Sequence, residues 1–502
     1  MSGNINRRKF LKASAAGMAV TVVPRHVLGG PGHTAPSDQL TMAYIGCGTQ
    51  GLREMSDLLK NPKIRVVSVC DPNRFSTDYR DWSVTDIRNR MREATGDPSW
   101  GASITGIPGG RDVGREMVEK FYGRTLPSGK WKGCSAYEDF RELLEKENNI
   151  DAVKVMTPDH LHAAVSIAAM KKGKHVVIHK PIANRMHEAR LTIETARKTG
   201  ANTHLLAWAD IPGNRIVKQM IDEGAIGTLR EIHNWSNRPV WPQWYRNPTE
   251  TVPVPEGMNW QLWLGPVPDR PYHPDYTHMT FRGWYDFGGG TICDMGHYSL
   301  WPLFLSLGID TPPVSAEGCG TTHREFVGQV SRGVTNDVAF PYSSTVRFRF
   351  PAQKTLGAFD LFWYDGGMKP PIPDELADGD AALPAEGMML VGDKGKILAG
   401  FRCEDPKLIP SSKMSAWTNG RQWTDKEDEK RDKNVWVDAF LSGKPSPGNF
   451  QLASTVSETI LLGTVAIRTA KRLLYDSKTM RITNNETANQ HFFREYRKGW
   501  EL

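Results

Sequence analysis

Apolar positions follow two rhythms along the chain. Residues 42–45 form a short continuous apolar run, the pattern of a strand buried on both faces. Gly46, Gly48 and Gly51 follow it, and a helix is predicted from there to Lys60. The alternation then repeats. Residues 65–70, 152–156 and 175–178 predict strands, and residues 137–146, 158–172 and 188–198 predict helices. Thr157 suits an N-cap, Pro158 a first helical position, and Gly173 a stop. Strands alternating with helices predict a parallel, doubly wound sheet. Residues 75–133 interrupt the pattern. Within them, 88–94 and 116–122 predict helices, and 96–114, rich in Gly, Pro and Ser, reads as an extended insertion on the surface.

Beyond residue 202 the rhythm changes. A helix is expected at 216–223, a turn at 224–227 and a strand at 229–235. Residues 345–350 alternate polar and apolar, 363–373 read as a long loop, and 388–391 with 396–398 read as a hairpin. A long helix is expected over 452–474. Phe492, Phe493 and Tyr496 call for a docked tail.

Composition adds bounds. A chain of 502 residues accommodates two or more domains. It is 39% hydrophobic and 24% charged, with no apolar run long enough for a bilayer. The net charge of +7 is interspersed with acids, so no nucleic-acid footprint is expected. The six cysteines show neither C-x-x-C pairs nor metal-ligand spacing, and no metal is expected. At the N-terminus, basic residues 6–12 precede an apolar stretch, 13–23, which is the pattern of a targeting segment. Arg7-Arg8 followed by Phe-Leu-Lys resembles a twin-arginine (Tat) signal, which implies the Tat machinery as a partner and an exported, periplasmic location. Residues 1–37 are thus read as signal and linker.

The candidate chemistry starts at Gly46-Cys47-Gly48-Thr49-Gln50-Gly51. G-x-G-x-x-G after a strand is the turn that lets backbone approach a pyrophosphate at a helix N-terminus. Asp71 closes the next strand about 20 residues on, where an acid meets the ribose hydroxyls. It favours NAD, while Arg74 nearby suits the extra phosphate of NADP. Lys180 ends a buried strand, where open α/β sheets place their ligands, and a partly desolvated lysine can exchange a proton with a hydroxyl. Of His160 and His162, one is expected to face the cofactor and the other to cap or pack.

The glycine turn, the TPDHLH stretch at 157–162 and GKHVVIHKP at 173–181 together resemble the Gfo/Idh/MocA oxidoreductase family. The resemblance implies a Rossmann domain over 38–200. It implies an α+β domain over 201–502 whose mostly antiparallel sheet covers the nicotinamide and joins copies into homo-oligomers. The last helix or tail would pack back on the Rossmann domain. Lys180 then lies between nicotinamide and substrate, and His179 replaces the family's usual glutamate. Asp294 matches a family Asp that is followed four residues later by a His. Here that place holds Tyr298, and a histidine stands one residue earlier, at His297; either could share the proton with Lys180. Trp208, His278, Arg282, Trp284 and Tyr285 are candidates for a sugar pocket, with rings for C–H faces and polar groups for hydroxyls. The implied activity is oxidation or reduction of a carbinol on a sugar, glycoside or cyclitol. Three variants remain open: a redox-neutral cycle with trapped NAD, a glycosidase acting by transient oxidation and elimination, and a non-catalytic relative that binds dinucleotide and sugar.

Overall fold

The computed structural model describes residues 38–127, 131–376, 382–419 and 434–502; the targeting segment lies outside the described residues. The first sheet contains β1 (Leu40–Ile45), β2 (Ile64–Cys70), β3 (Ser135–Tyr137), β4 (Ala152–Val155), β5 (His175–Ile178) and β6 (Thr203–Leu205). Their order is β3-β2-β1-β4-β5-β6, and every pairing is parallel. The order reverses between β1 and β4. The chains leave these two strands in opposite directions and open a crevice at their carboxyl ends.

The helices on the faces are α1 (Thr49–Leu58), α2 (Asp86–Thr95), α3 (Arg111–Thr125), α4 (Phe140–Lys146), α5 (His162–Lys171) and α6 (Met186–Thr199). Successive strand residues point to opposite faces. Ala43, Ile45, Val153 and Val155 therefore join one core, while Met42, Tyr44, Val66 and Val69 join another. Residues 111–125 correct the insertion reading. Val113, Met117, Val118 and Tyr122 are buried in the second core, so α3 is a crossover helix of the sheet. Residues 137–146 divide into β3 and α4, because Asp139 caps the helix by accepting from the Arg141 amide at 2.8 Å.

The second layer holds α7 (Pro212–Asp222), β7 (Leu229–Trp235), α8 (Trp260–Leu264), α9 (Gly290–Leu307), β8 (Ser315–Gly320), β9 (His323–Val327) and β10 (Val330–Val334). It continues with β11 (Ser344–Phe350), β12 (Phe359–Tyr364), β13 (Gly387–Gly392), β14 (Lys396–Ala399) and β15 (Lys407–Ile409). The remaining elements are α10 (Ser411–Thr418), α11 (Val435–Ser442), α12 (Ser454–Thr469), β16 (Arg472–Asp476) and β17 (Arg481–Ile482). The nine strands in the order β15-β14-β13-β7-β12-β11-β8-β16-β17 pair antiparallel except β7 with β12. Trp363 and Tyr364 belong to β12 and not to a loop. The long helix ends at Thr469, where Ala470 turns left-handed at φ 48°, and the chain continues as a strand. α12 lies close on the sheet: a Cβ on Gly463 would stand 2.7 Å from the Phe348 ring. α9 packs between α12 and the crevice.

Candidate active site

One cleft of about 330 Å³ runs along the carboxyl ends of β1, β2 and β4 and under the second domain. Its cradle is the glycine turn. Gly46 has φ +104°, and a Cβ there would lie 2.5 Å from the Met156 carbonyl at the end of β4. A Cβ on Gly51 would stand 2.2 Å from the Gly46 carbonyl. Both positions therefore require glycine, and their absent side chains bring backbone and the α1 N-terminus to the cleft. The Asp71 carboxylate accepts from the Cys47 amide at 2.6 Å and the Asn73 amide at 2.8 Å, tying the turn to the end of β2. Burial raises its pKa against those two bonds. Thr49, Gln50, Thr157 and Pro158 also line the cleft. Cys47 contributes its backbone, while its thiol is buried toward Gly114. Arg74 is turned outward to Asp112 at 3.3 Å with a 67% exposed side chain and does not line the cleft.

Beyond Asp71 the walls become apolar, with Phe140, Leu161, Leu262, Trp263 and Trp500. Trp500 comes from the tail. The Arg141 guanidinium stacks 4.4 Å from its ring, and Arg497 anchors the segment by donating to Gly265 O at 3.0 Å. Upstream, Arg494 pairs with buried Glu188 at 2.8 Å. A second wall comes from residues 72–85. Tyr79 packs tilted against His278 with ring centroids 4.1 Å apart, Asp81 pairs with Arg53 at 2.7 Å, and Arg80 meets Asp275 at 3.2 Å. His278 is left-handed at φ 55° with Nε2 3.4 Å from Asp78.

The opposite end carries charge. Lys180 Nζ donates to Asp294 Oδ1 at 2.5 Å, and Arg282 Nε reaches the same oxygen at 3.0 Å. Burial lowers the Lys180 pKa, with Asp294 opposing. Burial pushes Asp294 up, but Lys180 and Arg282 outweigh it and hold the carboxyl below its usual range. Asp159, three-hundredths exposed, is raised to about 7 by the same burial against Arg282 and Lys180. Tyr298 Oη meets His179 Nε2 at 3.0 Å, and the Lys180 ammonium stands 4.9 Å from the Tyr298 ring. Burial and the two cations keep His179 neutral, and burial raises Tyr298.

The phase of α9 separates the two candidates on it. Asp294 and Tyr298 are i and i+4 and line the cleft together. His297 is turned by about 100°, fully buried, 3.4 Å from Ser457 Oγ on α12 and from Cys293 O; burial lowers it to about 3. His162 bridges two site loops, with Nδ1 2.6 Å from Pro181 O and Nε2 2.8 Å from Thr157 O, and does not line the cleft. His160 packs against Trp263 and Phe287 and bonds Trp263 O at 2.8 Å. Of the sugar candidates, His278 and Arg282 line the cleft. Trp284 is core, stacked on Trp244 at 4.9 Å. Tyr285 packs on Phe340 at 4.4 Å, and Trp208 lies against His204 and Gly448. Rings were a poor guide here because an aromatic cluster around Trp260, Tyr276 and Phe287 consumes most of them. Asp159, Arg238, Tyr79 and Trp500 line the cleft without having been singled out. Only Asp159, inside TPDHLH, had a local signal.

The donor set suits a dinucleotide: two glycines with no room for a Cβ against the backbone, a helix N-terminus, an acid at the end of β2 and an apolar slot. Two family profiles match the chain: an oxidoreductase family NAD-binding Rossmann fold over residues 112–205, and an oxidoreductase family C-terminal alpha/beta domain over 215–338. The chain is similar to levoglucosan dehydrogenase of Pseudarthrobacter phenanthrenivorans, 30% identical over 22% of this chain and 29% of that one. It is also similar to glycosyl hydrolase family 109 protein 1 of Shewanella sp. (strain MR-4), 24% identical over 45% of this chain and 44% of that one. It thus spans less than half the length of either relative. Among solved structures, the WlbA dehydrogenase from Bordetella pertussis in complex with NADH and UDP-GlcNAcA superposes with a TM-score of 0.50, covering 87% of this chain and 99% of that one at 13% identity. The two matched segments, 112–205 and 215–338, and the fold support an oxidoreductase of the Gfo/Idh/MocA kind, with an NAD-binding Rossmann domain followed by a C-terminal α/β domain.

Proposed function

We propose that the protein is an exported, NAD-dependent oxidoreductase that acts on a carbinol of a sugar, glycoside or cyclitol and retains its cofactor between turnovers. The observation that carries the reading is the Lys180–Asp294 pair, buried at one end of a cleft whose middle is the glycine turn. Bound nicotinamide would supply the hydride acceptor and donor. Gly46, Gly48, Gly51 and Asp71 would hold the dinucleotide, with the Phe140–Trp500 slot for its base. Lys180, in the neutral amine form that its burial favours, takes the proton from the reacting hydroxyl oxygen in oxidation to become the ammonium, and returns it in reduction. Asp294 holds the resulting ammonium and Arg282 fixes Asp294 by sharing its Oδ1, so that the pair orients the hydroxyl. Tyr298, supported by neutral His179, donates its phenolic hydrogen bond to the substrate side.

Retention is supported by the walls from residues 72–85 and the tail, and it suits a Tat-exported protein that meets no NAD pool after export. A trapped cofactor favours a redox-neutral cycle. The likeness to a glycosyl hydrolase supports a second reading in which a transient ketone permits elimination at a glycosidic bond, followed by water addition and reduction. The test is to purify the protein, denature it, and measure released nicotinamide by mass and absorbance. The intact protein is then incubated with sugars and glycosides while the 340 nm band and carbinol isotope exchange are followed. Released NAD with exchange that Lys180→Ala abolishes is expected; absent nicotinamide would overturn retention, and exchange unaffected by Lys180→Ala would overturn the proton assignment.

A further inference from the structure

The charges at the Lys180 end do not balance. Asp294 is already shared by Lys180 and Arg282, at 2.5 and 3.0 Å. Arg80 is matched by Asp275, and His278 faces Asp78. Asp159 is only partly ionised near neutral pH. Arg238 is left over. It lines the same cleft from the loop after β7, and its positive field helps keep Asp294 ionised. Its Nε is buried and without a hydrogen-bond acceptor. Among the described residues its guanidinium meets no carboxylate, only the face of Trp82 at 5.6 Å. The backbone beneath it is fixed: the Arg238 amide donates to Ser236 Oγ at 3.3 Å, and the Gly366 amide donates to Arg238 O at 2.6 Å.

A half-buried guanidinium whose buried Nε lacks an acceptor is costly unless a ligand completes it. A planar fork of N–H donors is matched by two oxygens of one anionic group. Neutral sugar hydroxyls would leave the net positive charge of this end uncompensated.

Resting on the oxidoreductase reading, we propose that the substrate is an acidic sugar, with a carboxylate or phosphate oxyanion held by Arg238 while its carbinol faces Lys180. Arg238 is then the specificity residue that tells charged from neutral sugars. It comes from the second domain, so the Rossmann domain grips the cofactor and the other domain reads the substrate's charge.

The experiment is calorimetry on the holoprotein with D-galactose, D-galacturonate and D-galactose 6-phosphate, and with the matching gluco series, at low and high salt. At least one charged series should bind about tenfold or more tightly than its neutral parent, with the preference shrinking at high salt. The two anionic arms decide between carboxylate and phosphate. Arg238→Gln should erase the preference while neutral-sugar binding and bound nicotinamide stay unchanged. Arg238→Lys, which keeps the charge and is the safeguard if the glutamine variant misfolds, should restore part of it. Equal binding of neutral and charged sugars, or no binding by any, overturns the proposal. So does a glutamine variant that loses nicotinamide but keeps the preference, since Arg238 would then serve the cofactor. Charge-selective binding without carbinol oxidation would leave this inference standing and sink the oxidoreductase reading; turnover without selectivity would do the reverse.

Discussion

The two ends of the cleft are built from different materials. At the glycine-turn end the walls are backbone and rings: Gly46 and Gly51 with no room for a Cβ, then Phe140, Leu161 and Trp500. At the Lys180 end they are buried charges, with Lys180, Arg282 and Asp294 within one hydrogen-bonded cluster. The first end binds through shape and apolar burial, which tolerate changes of pH and salt. The second holds charge out of water, which is costly and therefore sensitive to any missing partner. The difference suggests a division of labour between holding a cofactor and moving a proton.

The sharpest test of that division is Lys180→Met. Turnover should fall by roughly 10²–10⁴-fold, the usual worth of a positioned proton donor, while nicotinamide released on denaturation stays stoichiometric. Loss of both together would break the comparison.

The next effect is a pH dependence to which one carboxyl at the charged end and one in the core contribute. Asp159 has its folded pKa raised to about 7, above its unfolded value of 3.8. Its favourable contribution is therefore complete below that unfolded value and is lost as pH rises through about 7. Its own contribution to stability should fall by up to about 1.4 kcal/mol per pH unit across that window, against the opposite slope from buried histidines such as His160, His162 and His297, whose lowered pKa values favour the fold as pH rises. Asp365, buried with Trp363 and Ser344, has the same direction and value but lies outside the cleft. Relative to the parent, Asp159→Asn should therefore shift the slope of stability against pH in urea melts upward across that window, and adding Asp365→Asn should shift it further. An unchanged slope in the double variant would exclude a contribution from these carboxyls.

Trp500→Ala probes the other end. It should weaken nicotinamide retention by about 2 kcal/mol, the scale of burying a large apolar side chain, and leave the pH profile of turnover unchanged. Dilution followed by filtration and mass analysis reads the loss. The smallest contrast is on α9. Tyr298→Phe should cost about 1 kcal/mol in the activation barrier through the lost bond to His179. His297→Phe should lower the melting temperature and leave kcat within twofold, roughly. A reversed pattern would place His297 in the cleft.

The glycine end was the more legible in sequence. Gly46 to Gly51 and Asp71 form a local pattern whose geometry follows from one strand, one turn and one helix. Lys180 was legible for a similar reason, at the end of a buried strand, whereas Asp294 was reached through the family resemblance. The choice between His297 and Tyr298 was not legible, because the rotational phase of α9 depends on which face meets α12. Trp500, Arg238 and Tyr79 had no local signature; each reaches the cleft through tertiary packing of a segment remote from the glycine turn. Tryptophans drew attention for their chemistry, yet Trp284 and Trp208 serve packing, since a large ring is more often spent on a core. α3 was misread as part of an insertion because the 71–110 excursion ahead of it hides the rhythm of the sheet.

The placement of Trp500 has a consequence for biosynthesis. A ribosome makes the glycine turn early, and the Rossmann strands can pair once residue 205 has emerged. The indole that closes the base slot is added almost 300 residues later, at roughly half a minute's distance at ordinary elongation rates. A nascent chain would therefore have a cradle without its far wall throughout most of its synthesis, and tight capture of a dinucleotide would be a late, post-translational event.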